Sequence, residues 1–369
     1  MDLTRHRFAR RRHRRRSAGR ACAVAAAAAL SVLASSAVAA AQATRLPPLT
    51  CAAHTLPVRI ADPGPADQAM WGQLCFRGDR EPATVQLLVH GATYNRLYWN
   101  FPYGNGYYSY VDAATAAGYA TFDVDRIGNG SSSHPPSSSL TVDAGAVALH
   151  DAVTALRAGT ADGHPFSRVI IAGHSLGSAE TMTEAARYHD VDAAIITGAL
   201  HALSPAGVGA LQASLYPAAD APAFASSGLD PGYLTTLPGT REALFYDPAT
   251  ANPAVVATDE ANKDTTTAAE LASGASLLAE PPAQQPSYQI TVPVLSLVGE
   301  NDTLFCTGAT AYNCANAASV QTFEAQYYSP AAHLKVAVIP DTGHDLALST
   351  TAPFTDAIMT AWSLSVVAP

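Results

Sequence analysis

Basic residues are scarce in this chain once its N-terminal segment is set aside. Residues 1–43 combine an arginine-rich start, an alanine-rich apolar run and small residues at the end, which predicts a secretory signal peptide cleaved near residues 39–43. Of the 21 basic and 30 acidic residues, this segment takes nine arginines and one aspartate, which leaves 12 and 29 and a net charge of −17. So acidic a surface repels nucleic acid and anionic lipid, so neither is expected as a partner.

Long apolar runs and metal-binding motifs are also missing after residue 43. No later apolar run is as long as the one in the leader, so the sequence predicts a secreted protein without a stable membrane anchor. The pattern H-E-x-x-H does not occur, and the cysteines are not at metal-ligand spacing. The sequence therefore predicts no metal and no other cofactor.

Cysteines are few, and their number is even after the leader is removed. The four that remain are Cys51, Cys75, Cys306 and Cys314. In an exported chain an even count indicates two disulfides. Three pairings exist, and the order along the chain favours Cys51–Cys75 and Cys306–Cys314.

The chain does contain a regular alternation of short apolar runs and helical patterns. The candidate strands are residues 84–89, 119–125, 168–172, 193–197, 293–298 and 334–339, and the candidate helices are 107–117, 140–158, 178–187 and 355–367. The strands are continuously apolar, which is typical of a mostly parallel sheet with helices on both faces. We therefore predict an α/β fold.

Residues 200–288 interrupt this alternation. The segment is rich in proline, alanine and aspartate, has no strong strand pattern, and shows only scattered helical patches such as residues 267–278. We interpret it as a helical cap inserted between two parts of an α/β core, residues 44–199 and 289–369.

Residues 173–177 read Gly-His-Ser-Leu-Gly, between a β-branched run and a run of good helix formers. A serine on a sharp strand-to-helix turn is held in a strained conformation, and side chains at the flanking glycines would clash with the strand or the helix. The hydroxyl group then stands clear of the sheet, near a helix N-terminus that favours negative charge. Ser175 is therefore the candidate nucleophile.

A serine nucleophile needs a base, and the base needs an orienting acid. His344 follows the last predicted strand, so it is expected at the same sheet edge as Ser175. Asp302 follows the preceding strand and is the best candidate for the acid. Glu300 lies two residues nearer that strand and is its main rival, whereas the aspartates flanking His344 are too close in sequence.

Five segments, taken together and in this order, resemble the α/β-hydrolase superfamily, in particular its secreted, capped, esterase-like and lipase-like members. The segments are residues 90–93, 125–131, 173–177, 299–302 and 343–344. The resemblance implies an oxyanion hole built from the backbone N–H groups of Ala92 and Leu176. The chain departs from one branch of the family, because the loop that begins at His90 is not of the His-Gly-Gly-Gly type.

An aromatic cluster follows the predicted oxyanion loop. Its members are Tyr94, Tyr98, Trp99, Phe101, Tyr103, Tyr107, Tyr108 and Tyr110. These rings either form a wall that holds an apolar acyl group or pack the loop beneath the cap. The candidate pocket residues are His90, Tyr94, Tyr98, Trp99 and His201.

These observations predict a secreted serine hydrolase that cleaves carboxylic esters or lactones through an acyl-enzyme, with an apolar acyl part in its small-molecule substrate. A serine peptidase with the same three residues is the alternative, and Asp259, Glu260 and Asp264 could then hold a free peptide amine. An acyltransferase or a cofactor-free haloperoxidase is a further option, since the fold does not determine the acyl acceptor. A non-catalytic binding protein is disfavoured because nucleophile, acid and base are all present.

Overall fold

A sheet of eight strands is the framework of the computed structural model, which describes residues 46–308 and 311–369. The strands are β1 (Leu49–Val58), β2 (Gln68–Arg77), β3 (Thr84–Val89), β4 (Ala120–Val124), β5 (Arg168–His174), β6 (Ala193–Thr197), β7 (Leu215–Pro217), β8 (Tyr233–Thr236), β9 (Thr266–Thr267), β10 (Val294–Gly299) and β11 (Lys335–Ile339). The large sheet has the order β1-β2-β4-β3-β5-β6-β10-β11. The predicted signal peptide lies outside the described residues.

The strands β4, β3, β5, β6, β10 and β11, which are neighbours in that order, pair in parallel. The strands β1 and β2 pair antiparallel, and β2 is antiparallel to β4. Every residue of β3, β4, β6 and β10 is buried, as their mainly apolar sequences require. The prediction of a mostly parallel sheet is confirmed. The β1–β2 hairpin was not predicted, because β1 is largely exposed and its sequence has no apolar run.

Nine α-helices accompany the strands in the described chain. They are α1 (Tyr110–Ala116), α2 (Val142–Ala158), α3 (Leu176–Tyr188), α4 (Pro205–Ala213), α5 (Arg241–Phe245), α6 (Pro253–Asn262), α7 (Ala268–Leu278), α8 (Ala317–Glu324) and α9 (Ala352–Val366). The helix predicted over residues 107–117 starts later because the Ser109 side chain accepts a hydrogen bond from the Asp112 N–H and so caps α1. Among these helices, none has the length and apolarity that a membrane span requires.

The segment 200–288 contains more than helices. Besides α4 to α7 it holds a small antiparallel sheet with the order β7-β8-β9. These strands are two to four residues long, too short for a sequence pattern, and the interpretation of the segment as a helical cap did not include them. The predicted helical patch is α7, which begins at a capping box formed by Thr267 and Glu270. Residues 48–369, which include this segment, form one compact unit.

Two disulfides join the pairs that the sequence order favours. Cys51 and Cys75 lie opposite each other in the β1–β2 hairpin, with Cα atoms 4.1 Å apart. Cys306 and Cys314 close a loop after β10, with Cα atoms 5.7 Å apart. The first bridge spans 24 residues of sequence and the second spans eight.

We expect the two bridges to differ in their contribution to stability. A crosslink removes more conformational freedom from the unfolded chain when it closes a longer loop, and the chain-entropy relation gives about 3.5 kcal/mol for the first bridge and about 2.5 kcal/mol for the second. Urea unfolding of the Cys51→Ala/Cys75→Ala and Cys306→Ala/Cys314→Ala variants measures both. A larger loss of unfolding free energy in the second variant would contradict this ranking.

Candidate active site

Ser175 occupies a turn between β5 and α3 that only glycine neighbours permit. Its φ and ψ angles are 54° and −118°, a strained conformation for a residue with a side chain. A Cβ atom on Gly173 would lie 2.5 Å from the Gly177 carbonyl oxygen, and one on Gly177 would lie 2.3 Å from the His90 carbonyl oxygen. The Ser175 N–H donates to the Thr197 carbonyl oxygen at 2.8 Å, which ties the turn to the end of β6. The local structure thus has the form predicted for a nucleophile.

The side chains of His344 and Asp302 meet beside this turn. The Nδ1 atom of His344 lies 2.8 Å from Oδ2 of Asp302, and both side chains are almost fully buried. Since a carboxylate only accepts hydrogen bonds, Nδ1 is the donor and the neutral imidazole keeps its lone pair on Nε2. The other oxygen of Asp302 accepts the N–H groups of Leu304 and Phe305 at 2.8 and 3.2 Å, which hold the carboxylate in place.

Glu300, the rival candidate for the acid, faces elsewhere. Its carboxylate accepts the N–H of Asp341 at 3.4 Å, and its side chain is only half-buried. Of the two acids that follow β10, Asp302 is the one that contacts His344.

His344 and Ser175 contact the same short segment at the end of β6. Thr197 accepts the Ser175 N–H, and a Cβ atom on the next residue, Gly198, would lie 3.2 Å from Cε1 of His344. The His344 ring also lies 4.8 Å, centroid to centroid, from the ring of His174, the residue before the serine. The candidate base and nucleophile are therefore neighbours at one sheet edge, as the strand order requires.

The surroundings shift the pKa values of His344 and His174 in opposite directions. Burial alone would lower the pKa of His344, but the charge and the hydrogen bond of Asp302 outweigh burial and raise it above its usual value. Burial and the neighbouring His344 hold the pKa of His174 well below its usual value, so His174 is neutral. His174 instead stacks on Tyr98, with ring centroids 4.1 Å apart.

The loop that carries Ala92 is fastened to the inserted segment. Its next residue, Thr93, has a φ angle of 62°, donates its N–H to Thr265 at 3.1 Å and accepts the Asp264 N–H at 2.9 Å. The guanidinium of Arg241 donates to the Thr93 hydroxyl at 3.0 Å. The candidate oxyanion loop thus takes its shape partly from residues far away in sequence.

A buried polar network lies behind this loop. Arg241 donates to both oxygens of Asp259 at 2.8 and 2.9 Å, and the Tyr246 hydroxyl donates to the same carboxylate at 2.9 Å. The Tyr94 hydroxyl donates to Asp345, whose pKa burial raises to about 6. The burial of Arg241, at the start of α5, and of Asp345, in the loop after β11, could not be predicted because isolated charged residues give no sequence signal of burial.

A cavity of about 370 Å³ opens at Ser175. It is lined by Ala92, Ser175, Leu176 and Ala179, by Leu304 and Phe305, and by residues of the inserted segment, namely Leu203, Val208, Leu211, Gln212, Leu215, Leu234, Ala268, Leu271, Ala272, Gly274, Ala275 and Leu278. Among these described lining residues none carries a charge, and Ser175 and Gln212 alone have polar side chains. The cavity size falls within the range of small-molecule sites.

The five candidate pocket residues are not among the residues that line this cavity. His90 accepts the Arg126 N–H at 3.0 Å through Nε2, and Tyr94 belongs to the buried network. Tyr98 stacks on His174, and the ring of Trp99 packs edge-on against Tyr98 at 5.1 Å. Six of the eight aromatic residues thus pack the core beneath the loop, in line with the second interpretation of the cluster, whereas Tyr103 and Tyr107 are exposed.

His201, the fifth candidate, is also engaged elsewhere. Its Nδ1 atom lies 2.7 Å from Glu324 and its Nε2 atom 2.9 Å from the Ser287 hydroxyl, while its ring stacks on Tyr327. Both nitrogens are therefore committed to partners within the core.

One family of known proteins matches most of this sequence. The model of the "Alpha/beta hydrolase family" matches residues 86–357. The chain belongs to the α/β-hydrolase family. A search of the curated proteins found no match.

Solved structures of esterases and of a lipase superpose on most of the chain at low sequence identity. A thermophilic esterase from Thermogutta terrifontis is 19% identical, with a TM-score of 0.54 and 85% of this chain and 99% of that chain covered. A putative aryl esterase from Burkholderia cenocepacia is 16% identical, with a TM-score of 0.57 and 86% and 100% covered. A monoacylglycerol lipase from Paleococcus ferrophilus is 16% identical, with a TM-score of 0.54 and 80% and 98% covered. At these identities the likeness concerns the fold.

We expect His344 and His174 to titrate differently. Because Asp302 stabilises the imidazolium of His344, this ring should titrate above the usual histidine pKa of about 6.5, while His174 should remain neutral down to acidic pH. In the Asp302→Asn variant the His344 pKa should fall, since burial is then opposed only by the weaker effect of the Asp345 charge. NMR titration of the imidazole resonances measures these values, and an unchanged His344 pKa in the variant would refute the role of Asp302 in raising it.

Proposed function

We propose that the protein is a secreted serine hydrolase that cleaves carboxylic esters or lactones through an acyl-enzyme intermediate. The observation that carries this proposal is the contact between His344 and Asp302 beside a strained Ser175 at the mouth of an apolar cavity. The predicted leader and the two disulfides support export to an oxidising compartment.

In the proposed reaction Ser175 attacks the substrate carbonyl while Nε2 of His344 takes the hydroxyl proton. The imidazolium that forms is stabilised by Asp302, whose carboxylate is already oriented by two backbone N–H groups. His344 then protonates the leaving alcohol. In the second half-reaction the same histidine takes a proton from a water molecule, which attacks the acyl-enzyme. The acid is released, and Ser175 recovers its proton from His344.

The proposed oxyanion hole uses the backbone N–H groups of Ala92 and Leu176. Leu176 is the first residue of α3, so its N–H has no helical acceptor and the positive end of the helix dipole adds to its effect. Ala92 lines the same cavity, and a Cβ atom on the adjacent Gly91 would lie 3.0 Å from Cβ of Ser175. Glycine at position 91 therefore allows the loop to approach the serine closely. Removing one such donor typically costs about 10²–10³ in rate.

The lining of the cavity supports an apolar acyl group in the substrate. Burial of each methylene group in such a cavity contributes about 0.8 kcal/mol. The peptidase alternative has less support, because it requires an anionic group that is free to bind a peptide amine. Asp259 is bound by Arg241, Glu260 by Lys263, and Asp264 by Asn95 and the Gly130 N–H.

Replacement of the three proposed reacting groups gives a first test. Ser175→Ala should abolish labelling by a fluorophosphonate and lower kcat for ester hydrolysis by about 10⁶-fold. Asp302→Asn should lower kcat by about 10⁴-fold, because it disfavours the productive tautomer of His344.

Glu300→Gln is the matched control for the acid, and its kcat should stay near the wild-type value. Absence of labelling in the folded wild-type protein would favour a binding protein over an enzyme. A large loss in Glu300→Gln without one in Asp302→Asn would move the role of the acid to Glu300.

A substrate panel tests the acyl preference. We expect p-nitrophenyl esters of medium-length acids to be hydrolysed with a higher kcat/KM than the acetate, and aminoacyl amides to be poor substrates. Leu211→Trp should narrow the cavity and lower kcat/KM for the longer esters by about tenfold or more while sparing the acetate. Ala210→Trp, at an exposed neighbouring position on α4, is the control. Activity confined to the amides would favour the peptidase alternative.

A further inference from the structure

A second cluster of ionisable side chains lies at the far end of α3 from Ser175. Its members are His150 on α2, Glu184 on α3 and Asp190 in the turn after α3. Each offers one nitrogen or oxygen atom, and these atoms all lie within 4.8 Å of one another. Glu184 is nine residues after Ser175, which places it about 13 Å further along the helix. The cluster is therefore separate from the cavity.

Glu184 has no ordinary hydrogen-bond partner. Its side chain is fully buried, and among the described residues no donor reaches either carboxylate oxygen. One oxygen of Asp190 is likewise buried and without a donor, while the other lies 2.7 Å from Nδ1 of His150. Two carboxyl groups that face each other away from water require either a shared proton or a cation.

The surroundings offer little positive charge to stabilise Glu184 and Asp190 if both were ionised. The cation that acts on Glu184, Arg157, directs its Nε atom to the Asp190 carbonyl oxygen and pairs its guanidinium with Asp192. The carbonyl groups at the C-terminal end of α3 add partial negative charge. Burial and the adjacent Asp190 both raise the pKa of Glu184 well above its usual value, and Arg157 only partly opposes them.

The cluster also has the other properties of a ligand set. The ring of His150 stacks on Tyr188 with centroids 3.8 Å apart, which orients its Nδ1 atom towards Asp190. The side chains of His150 and Asp190 are about one-quarter exposed, so solvent and ions reach the cluster from one side. One imidazole and two carboxylates are a donor set suited to divalent first-row metals.

We propose that His150, Glu184 and Asp190 bind one divalent metal ion of the Zn²⁺ or Mn²⁺ type, with water completing its coordination. Such an ion neutralises both carboxylates and joins α2 to the end of α3 and to the turn before β6. Its effect is on stability, since it binds the folded chain and not the unfolded one. The sequence predicted no metal, because these three residues do not form a recognised motif and meet only in the folded chain.

The test uses the disulfide-bonded protein after treatment with EDTA and transfer to metal-free buffer. We expect equilibrium dialysis against Zn²⁺ or Mn²⁺ to give one ion per chain, and a saturating concentration to raise Tm by roughly 5 °C. Glu184→Gln and His150→Phe should each weaken binding by at least about tenfold. The second variant keeps an aromatic ring that can stack on Tyr188 but has no ligand nitrogen.

Two controls distinguish binding at this cluster from metal binding elsewhere on the chain. Glu280→Gln makes the same substitution at an exposed position and should bind metal as the wild type does. Ser175→Ala should also bind normally, so the outcome does not depend on the proposed hydrolase activity. If the wild type binds no more tightly than Glu184→Gln and His150→Phe, the metal site is refuted, and a proton shared by Glu184 and Asp190 accounts for their proximity.

Discussion

The close approach of backbone segments around Ser175 is the constraint on which the rest of the site depends. Three chain segments pack tightly here: a Cβ atom at the end of β5 (Gly173) or at the start of α3 (Gly177) would overlap backbone oxygens, and one in the loop after β3 (Gly91) would lie 3.0 Å from Cβ of Ser175. The glycines at positions 91, 173 and 177 meet this requirement, and the hydrogen bond from Ser175 to Thr197 fixes the turn against β6. The strain at the serine is maintained because neighbouring strands and a helix determine its position from several sides.

Most of the core could be predicted from the sequence because local signals agree with the final fold. The strands β3, β5, β6 and β10 are apolar runs buried on both faces, and the order of the candidate residues along the chain follows the order of the strand ends. The contact between His344 and Asp302 follows from this topology, since parallel strands end at one edge. The sequence could not choose firmly between Asp302 and Glu300, because two positions after one strand differ only in the direction of their side chains.

The strands of the inserted segment and the residues that line the cavity could not be predicted from the sequence. The aromatic residues after β3 are as suitable for a core as for a pocket, and their contacts with His174 and Tyr110 decide for the core. The aliphatic residues that line the cavity come from short helices and strands whose arrangement no local pattern specifies. Such residues acquire their role only from tertiary packing.

Buried ion pairs link the inserted segment to the core. Arg126, which follows β4, donates to both oxygens of Glu180 on α3 and also contacts Glu270 on α7. Such pairs are costly to desolvate and are weak evidence for stability, but loss of one partner leaves an uncompensated buried charge. They therefore act as specific links that tolerate little displacement of α7 from α3.

The attachment of Thr93 to Arg241, Thr265 and Asp264 has a consequence for exchanging the inserted segment between α/β-hydrolases. The segment that supplies most of the cavity lining also supplies three of the groups that hold the backbone beside Ala92. A chimera that carried a foreign insertion would thus lose part of the support of the loop beside Ser175. Diversification by recombination is limited here to insertions that retain these three anchor points.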